Sequence, residues 1–522
     1  MRAATVASAI LVALTSLAVL SPSPVADVIV RARAGAETQA ARAVESSGGT
    51  VGRGLPVIDG FAGKVPERAV AALRTDPSVA SITPDASLHL LHMVDGYDPN
   101  ADVNSMYSVT DEIKAQEAWS HGYTGAGVDV ALIDSGVVPV NGLTAPGKII
   151  SGPDLSFESQ SDNVRYLDTF GHGTHMAGII AGRDDSATPS TYSSHDNFIG
   201  VAPDARIVSI KVANANGSTD VSQVIAAIDW VVQHRNDGGL NIRVLNLSFG
   251  TDGAQDYTLD PLAYAAEVAW RKGIFVVVSA GNSGSTLGHL NDPATDPYVL
   301  AVGADDAGGT YKTYDDVIPS WSSRGDGIRN PDIVAPGRSI ESLRDPDSYI
   351  DQTYPGGRIN TRFFRGSGTS QAAAVMSGVA AVLISQRPDI RPGQLKKLLM
   401  SSATSIPGPD ATAIGSGFVN VKSAMNTPTP NYSQSWTTSS GTGSLEAARG
   451  SSHVTDGNGS TLSGEQDIFG KAWDGTTWSA NAWAGTTASG WSWNGTTWSG
   501  GCWCGSSWAG TTWSGTTWSG TT

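Results

Sequence analysis

Three separated segments of this 522-residue sequence carry residue types that could work together as acid, base and nucleophile. Asp134 follows an apolar run, His172 lies between two glycines, and Ser370 follows Gly-Ser-Gly-Thr. A carboxylate can orient an imidazole, and the imidazole can take the proton of a serine hydroxyl that attacks a carbonyl carbon. Together the three residues predict nucleophilic acyl-transfer chemistry.

Two of these residues lie at element ends that suit such chemistry. Asp134 follows a predicted strand over 128–133, and open α/β sheets place ligand sites at the carboxyl ends of their strands. Ser370 opens a predicted helix over 369–386, whose N–H groups and dipole favour negative charge on an attacked carbonyl oxygen. Taken alone, the aspartate segment is also typical of a turn and the serine segment of a helix N-cap.

The segment that contains His172 also allows an interpretation other than catalysis. His172 and His175 have a spacing that also suits a metal-binding pair, but no third ligand cluster accompanies them in the sequence. An acid, a base and a nucleophile occur in one chain, each in its expected context. This combination favours the catalytic interpretation over three unrelated local roles.

The elements around these segments predict an α/β fold with a parallel sheet covered by helices on both faces. The predicted strands are continuously apolar, as expected for strands buried on both sides, and helical stretches separate them. The predicted strands are 128–133, 207–212, 242–247, 274–278 and 299–302. The predicted helices include 221–234, 260–272, 369–386 and 391–402.

The segments around Asp134, His172 and Ser370 resemble the three active-site signatures of the subtilisin-like serine peptidases, in that family's chain order. The likeness extends over about 105–425 through framework segments such as 200–207 and 332–337. It implies a three-layer subtilisin-like fold and a serine endopeptidase acting on proteins or peptides through an acyl-enzyme. The rival hypothesis is an inert protein that binds surfaces through its tryptophan-rich tail.

The resemblance also assigns roles to further residues. Asn282, in Ser-Ala-Gly-Asn, matches the asparagine that stabilises the oxyanion in this family, with the backbone N–H of Ser370 as the second donor. Ser248, Phe249 and Gly250 match the segment that pairs with the substrate as an added β-strand, which implies broad specificity.

The sequence departs from the family pattern at two positions beside the nucleophile. Gln371 stands where methionine is usual, and Ala374 stands where proline is common. Neither change removes a catalytic group, and the missing thioether predicts greater resistance to peroxide. Calcium is common in the family as a structural ion, but no short acidic loop here matches a binding template, so we assign no metal ligand.

The N-terminal part predicts export and a zymogen. Residues 1–26 combine Arg2 with a largely apolar run over 9–20, which is typical of a signal peptide; the cleavage junction stays open. Residues 27–91 predict a small α+β domain with an antiparallel sheet. They resemble the inhibitory propeptide of the family, so the enzyme's own propeptide is an expected partner, with cleavage near Leu91.

The C-terminal part is compositionally distinct. Residues 426–472 are rich in Ser, Thr and Gly and predict a linker. Residues 473–522 form ten pentads, nine of which begin with Trp. This composition favours a low-complexity, partly disordered or self-associating tail. The alternative is a set of aromatic platforms that contact cell-wall or other polysaccharides.

Charge and cysteine content narrow the function classes. The net charge of -16 argues against nucleic acid as a partner, because such proteins neutralise phosphates with a basic surface. Both cysteines, Cys502 and Cys504, lie in the tail, so the main domain has no thiol nucleophile or disulfide. Their pairing stays open. The expected location is extracellular or cell-surface associated.

Overall fold

The computed structural model describes residues 24–85 and 98–484, except 160, 311, 407, 409, 456–459 and 469, and the backbone of 493–494 and 497–498. The chain divides into two compact units, Met1–Ala86 and Ser87–Thr522. The predicted signal peptide falls almost entirely outside the described residues. The same holds for most of the pentad tail and both cysteines.

The first unit is a four-stranded antiparallel sheet in the order β2-β3-β1-β4 with two helices. Its elements are β1 (Val25–Ala32), α1 (Glu37–Ser46), β2 (Thr50–Leu55), β3 (Gly60–Pro66), α2 (Glu67–Arg74) and β4 (Val79–Pro84). In β1, Val28, Val30 and Ala32 alternate into the core. The sequence did not predict β2, because its residues are mostly exposed and show no such alternation.

The second unit is built on a seven-stranded parallel sheet in the order β11-β10-β9-β8-β5-β7-β6, which confirms the predicted fold class. These strands are β5 (Asp129–Asp134), β6 (Ile149–Asp154), β7 (Arg206–Lys211), β8 (Ile242–Leu247), β9 (Phe275–Ser279), β10 (Leu300–Asp305) and β11 (Ile333–Pro336). The five predicted strands are the five central ones. Both edge strands were missed, because β6 is not continuously apolar, β11 has only four residues, and each contains proline.

α-Helices cover this sheet, and two short antiparallel β-pairs are also present. The helices are α3 (Met106–Glu112), α4 (Ala115–Ser120), α5 (His172–Ala181), α6 (Val221–His234), α7 (Pro261–Arg271), α8 (Tyr349–Thr353), α9 (Thr369–Gln386), α10 (Pro392–Ser402), α11 (Ala411–Ile414), α12 (Val421–Asn426), α13 (Leu445–Arg449) and α14 (Gly475–Ala484). The antiparallel pairs are β12 (Ile340–Leu343) with β13 (Phe363–Gly366), and β14 (Trp493–Asn494) with β15 (Thr497–Trp498). Within the described residues, no helix is both long and apolar enough to cross a membrane.

Helix α9 is the central helix of the second unit. Its residues 369–384 are all buried, and it packs against α5 and against β8, β9 and β10. Gly378 allows the close approach of neighbouring elements, because a Cβ atom there would lie 2.5 Å from Val201 Cβ and 3.1 Å from Ile180 O. This packing holds the start of α9 against the carboxyl ends of the strands.

The segment predicted as a linker, residues 426–472, instead packs against the rest of the second unit. Because α12 includes residue 426, we call the described residues within 427–472 the strap. Gln434 Nε2 donates to Tyr298 O at 2.9 Å, and Ser439 N donates to Glu267 Oε1 at 2.6 Å. Leu445 and Ala448 lie in the principal hydrophobic core. The composition predicts a linker because the strap has no long apolar face. Hydrogen bonds and a few apolar side chains hold it in place instead.

The first pentads of the tail are also packed rather than extended. Trp478 is buried in α14, its ring 5.5 Å from that of Tyr264 in an edge-to-face arrangement. Tyr264 Oη donates to Ser479 O at 2.9 Å. The beginning of the repeat therefore serves as part of the core over α7.

Candidate active site

The structure brings Asp134 and His172 into direct contact. His172 Nδ1 lies 2.8 Å from Asp134 Oδ1 and 2.9 Å from Oδ2, and both side chains are 1% exposed. Asp134 ends β5 and His172 begins α5. Gly173 is required beside the histidine, because a Cβ atom there would overlap Gly136 O. A buried carboxylate so placed fixes the orientation and tautomer of the imidazole.

A second aspartate, which the sequence analysis missed, organises the backbone around this pair. Asp168 Oδ1 accepts hydrogen bonds from Ser135 Oγ at 2.8 Å and from Gly171 N at 2.7 Å, and Oδ2 accepts one from Thr174 N at 2.8 Å. Burial raises the pKa of Asp168, while the backbone N–H groups of Gly171 and Thr174 oppose this shift. Its only sequence signal was an acidic residue four positions before the histidine.

The other histidine of the segment, His175, is fully enclosed in α5. Burial lowers the pKa of His175 to about 3, and nearby His172 adds to the shift. His175 is therefore neutral at physiological pH. Within the described ranges, no group of three or more His, Cys, Asp or Glu side chains could hold a metal ion.

Ser370 lies at the start of α9, beside the strand end that carries Ser248. Ser370 Oγ donates to Ser248 O at 3.4 Å, and Ser248 Oγ donates to Ser370 O at 3.2 Å. Ser370 is buried, and Thr369 is the first residue of the helix. The helix N-terminus supplies backbone N–H groups and a positive dipole end at this position.

Asn282 follows β9 and contacts the same helix start. Its Oδ1 accepts hydrogen bonds from Thr369 N at 2.8 Å and from Thr369 Oγ1 at 3.0 Å. A Cβ atom on Gly368 would lie 3.4 Å from Asn282 Nδ2. The two hydrogen bonds identify Oδ1 as the acceptor end of the amide, so Nδ2 faces the turn that leads to Ser370. Thr369 is a residue of the site that sequence reasoning missed.

The predicted substrate segment lies next to these groups. Ser248, Phe249 and Gly250 directly follow β8, and Asn246 Nδ2 donates to Ser248 Oγ at 2.9 Å. The Phe249 side chain belongs to the principal core. At Gly250, a Cβ atom would lie 2.9 Å from Asn291 Cβ. The segment is therefore held from behind by packed side chains.

An aromatic pair adjoins the histidine and was not predicted. The ring of Phe170 lies 6.5 Å from that of His172, and Tyr349 stacks on Phe170 at 5.8 Å. Tyr349 N donates to Thr169 O at 3.1 Å, which ties α8 to the loop before His172. Tyr349 is 46% exposed and presents an open aromatic surface beside the site.

Comparison with known proteins identifies the family. The sequence model of the subtilase family matches residues 125–453, which contain all the site residues described above. The chain belongs to the subtilase family. This family match confirms the prediction that the enzyme is a serine endopeptidase.

Individual relatives support this assignment. Serine protease AprX of Bacillus subtilis is 36% identical over 326 residues, covering 61% of this chain and 71% of the relative. Subtilisin E of the same organism is 31% identical over 391 residues, covering 73% and 84%. Subtilisin DY of Bacillus licheniformis is 33% identical over 318 residues, covering 60% and 96%. The similarity to this subtilase thus extends over most of each relative.

Proposed function

We propose that this subtilase cleaves peptide bonds with Ser370 as nucleophile, His172 as general base and acid, and Asp134 as the group that orients His172. The observation that carries the proposal is the buried contact of Asp134 with His172 Nδ1, which leaves Nε2 as the nitrogen that exchanges a proton with serine. Ser370 attacks the carbonyl carbon, and His172 later protonates the leaving amine. Water then hydrolyses the acyl-enzyme by the same route.

The negative charge on the attacked oxygen requires donors that are already in place. Asn282 Nδ2 and the backbone N–H of Ser370 are the proposed donors, with Thr369 holding the amide of Asn282. The substrate backbone pairs with Ser248–Gly250 as an added strand, so recognition is tolerant of substrate sequence. Mass spectrometry of casein digests would measure this breadth. A single accepted residue before the cleaved bond would contradict it.

A serine-directed fluorophosphonate tests the nucleophile. We expect labelling of the wild-type protein and its loss in Ser370→Ala. Ser401→Ala is the matched control, because Ser401 lies on α10, where its hydroxyl donates to Leu398 O. Persistent labelling of Ser370→Ala would refute the assignment. An unlabelled wild-type protein would favour the inert surface-binding alternative.

We also propose that the enzyme is secreted as a zymogen. The support is the signal-like sequence over 1–26 and the separate compact unit that ends at Ala86. The released unit then acts as an inhibitor until it is degraded. N-terminal sequencing of the secreted enzyme should find a start within 90–110, and a start far outside that range would contradict the propeptide assignment.

A further inference from the structure

The strap contacts the residues that directly follow the proposed substrate strand. Thr251, next after Gly250, is fully buried, and its Oγ1 donates to Ala448 O at 2.6 Å. Its backbone N–H donates to Asp292 O and its carbonyl accepts from Asp292 N, both at 3.0 Å. The strand end is therefore fixed on one side by the Asp292 backbone and on the other by α13.

The contact continues over the next two residues. Ser451 N donates to Asp252 Oδ1 at 2.6 Å, and Ser451 Oγ donates to Asp252 Oδ2 at 2.5 Å. A Cβ atom on Gly253 would lie 2.7 Å from Ala447 O. Gly450, at φ +59°, leaves no room for a Cβ atom against Asp252. The chain turns tightly around the strand end here.

A buried ion pair anchors α13 on its other side. Arg449 is 0% exposed, and its Nε donates to Asp220 Oδ2 at 2.7 Å. Asp220 Oδ1 also accepts from Ser222 N at 2.9 Å and caps α6. Burial opposes the charge of Arg449, but Asp220 and Glu446 raise its pKa above the ordinary value. The guanidinium thus remains charged and holds α13 against the start of α6.

We propose that Leu445–Ser451, which we call the clamp, fixes the register of the substrate strand, with Thr251 and Arg449 as positioning residues. The inference rests on the proposed role of Ser248–Gly250 in binding substrate. A strand that pairs with a peptide must present its N–H and carbonyl groups at fixed positions. The clamp acts on binding of extended peptides, and not on the triad.

The decisive variant is Thr251→Val, which keeps the side-chain shape and removes the hydrogen bond to Ala448. It also removes the acceptor of Gly253 N at 3.3 Å. We expect KM for a hexapeptide anilide to rise about five- to tenfold with kcat unchanged, the effect of losing the hydrogen bond that joins the strand to Ala448. The KM for an N-acetyl amino-acid ester, which has one residue on the acyl side, should not change.

Three further variants test whether the effect is specific to the Thr251 hydroxyl. Thr251→Ser keeps the hydroxyl and should restore the wild-type KM. Tyr257→Phe removes another hydroxyl bond to the strap, to Thr437 O at 3.0 Å, and should leave both substrates unaffected. Ser451→Ala should raise the hexapeptide KM less than Thr251→Val does, because its bond to Asp252 is exposed to water.

The outcomes separate the clamp from the proposed function. If the wild type shows no KM advantage for the hexapeptide over the ester, the substrate strand is misassigned, although the triad can stand. If the wild type has this advantage and Thr251→Val retains it, the clamp is refuted. A fall in kcat for both substrates, or an equal effect of Tyr257→Phe, would mean that Thr251 serves only general stability, which also refutes the clamp.

Discussion

The hydrogen bond from Thr369 Oγ1 to Asn282 Oδ1 gives the sharpest test of the oxyanion geometry. Thr369→Val replaces the hydroxyl with a methyl group of similar size at a fully buried position. The variant keeps the backbone N–H of residue 369, which donates to Asn282 Oδ1 at 2.8 Å. The amide of Asn282 therefore loses the hydrogen bond from the hydroxyl of residue 369 and retains the one from its backbone N–H.

The expected fall in kcat follows from the loss of this one hydrogen bond to Asn282. Loss of one net hydrogen bond of about 1 kcal/mol corresponds to about fivefold in rate, so we expect kcat of Thr369→Val to fall about fivefold. Asn282→Ala removes the donor itself, for which about 10²- to 10³-fold is expected in kcat. Gly281 N also loses its acceptor, Thr369 Oγ1 at 3.2 Å, and an unpaired buried N–H costs about 1–3 kcal/mol of stability.

Steady-state hydrolysis of a peptide anilide, normalised by fluorophosphonate titration, would measure kcat at a temperature well below the lowered Tm. Thr369→Ser retains the hydroxyl and should keep nearly full activity. Equal losses in Thr369→Ser and Thr369→Val would refute the orienting role of the hydroxyl. A loss below about tenfold in Asn282→Ala would refute the oxyanion role of Asn282.

Three further predictions concern pH, oxidation and specificity. Burial, together with the nearby charges of Asp316 and Glu112, raises the pKa of Asp305 well above its usual range. The stability that protonated Asp305 contributes is fully present below the pKa of the unfolded state and is lost as pH rises through the pKa of the folded state. Asp305→Asn should therefore raise Tm at about pH 8 but not at about pH 4, as measured by calorimetry. An equal shift at both pH values would contradict this. Gln371→Met should lose activity in peroxide faster than the wild type, with sulfoxide at position 371 in mass spectra; equal decay of both proteins would refute it. Tyr349→Ala should lower kcat/KM about two- to tenfold for peptides with an aromatic residue beside the cleaved bond, compared with peptides that have alanine there. The reason is the loss of stacking on the Tyr349 ring. Equal losses for both peptides would exclude a stacking role.

Several features of this enzyme were decided by local sequence alone. The five central strands and helices such as α6 and α9 could be predicted because each is a single stretch with a clear apolar pattern. The segments of Asp134, His172 and Ser370 could be recognised because their glycines and flanking residues lie within a few positions of the functional group. The assignment to a serine endopeptidase family needed no more than these segments and their order.

Tertiary structure decided the features that depend on pairs distant in sequence. Thr369 orients Asn282 across 87 positions, and Arg449 pairs with Asp220 across 229. No local pattern marks such partners, because a hydroxyl or guanidinium finds its acceptor only when the fold brings the two together. The strap shows the same limit: its composition predicts a linker, yet hydrogen bonds and a few apolar side chains pack it beside the proposed substrate strand. Sequence thus determined the chemical groups, and tertiary contacts determined what holds them in place.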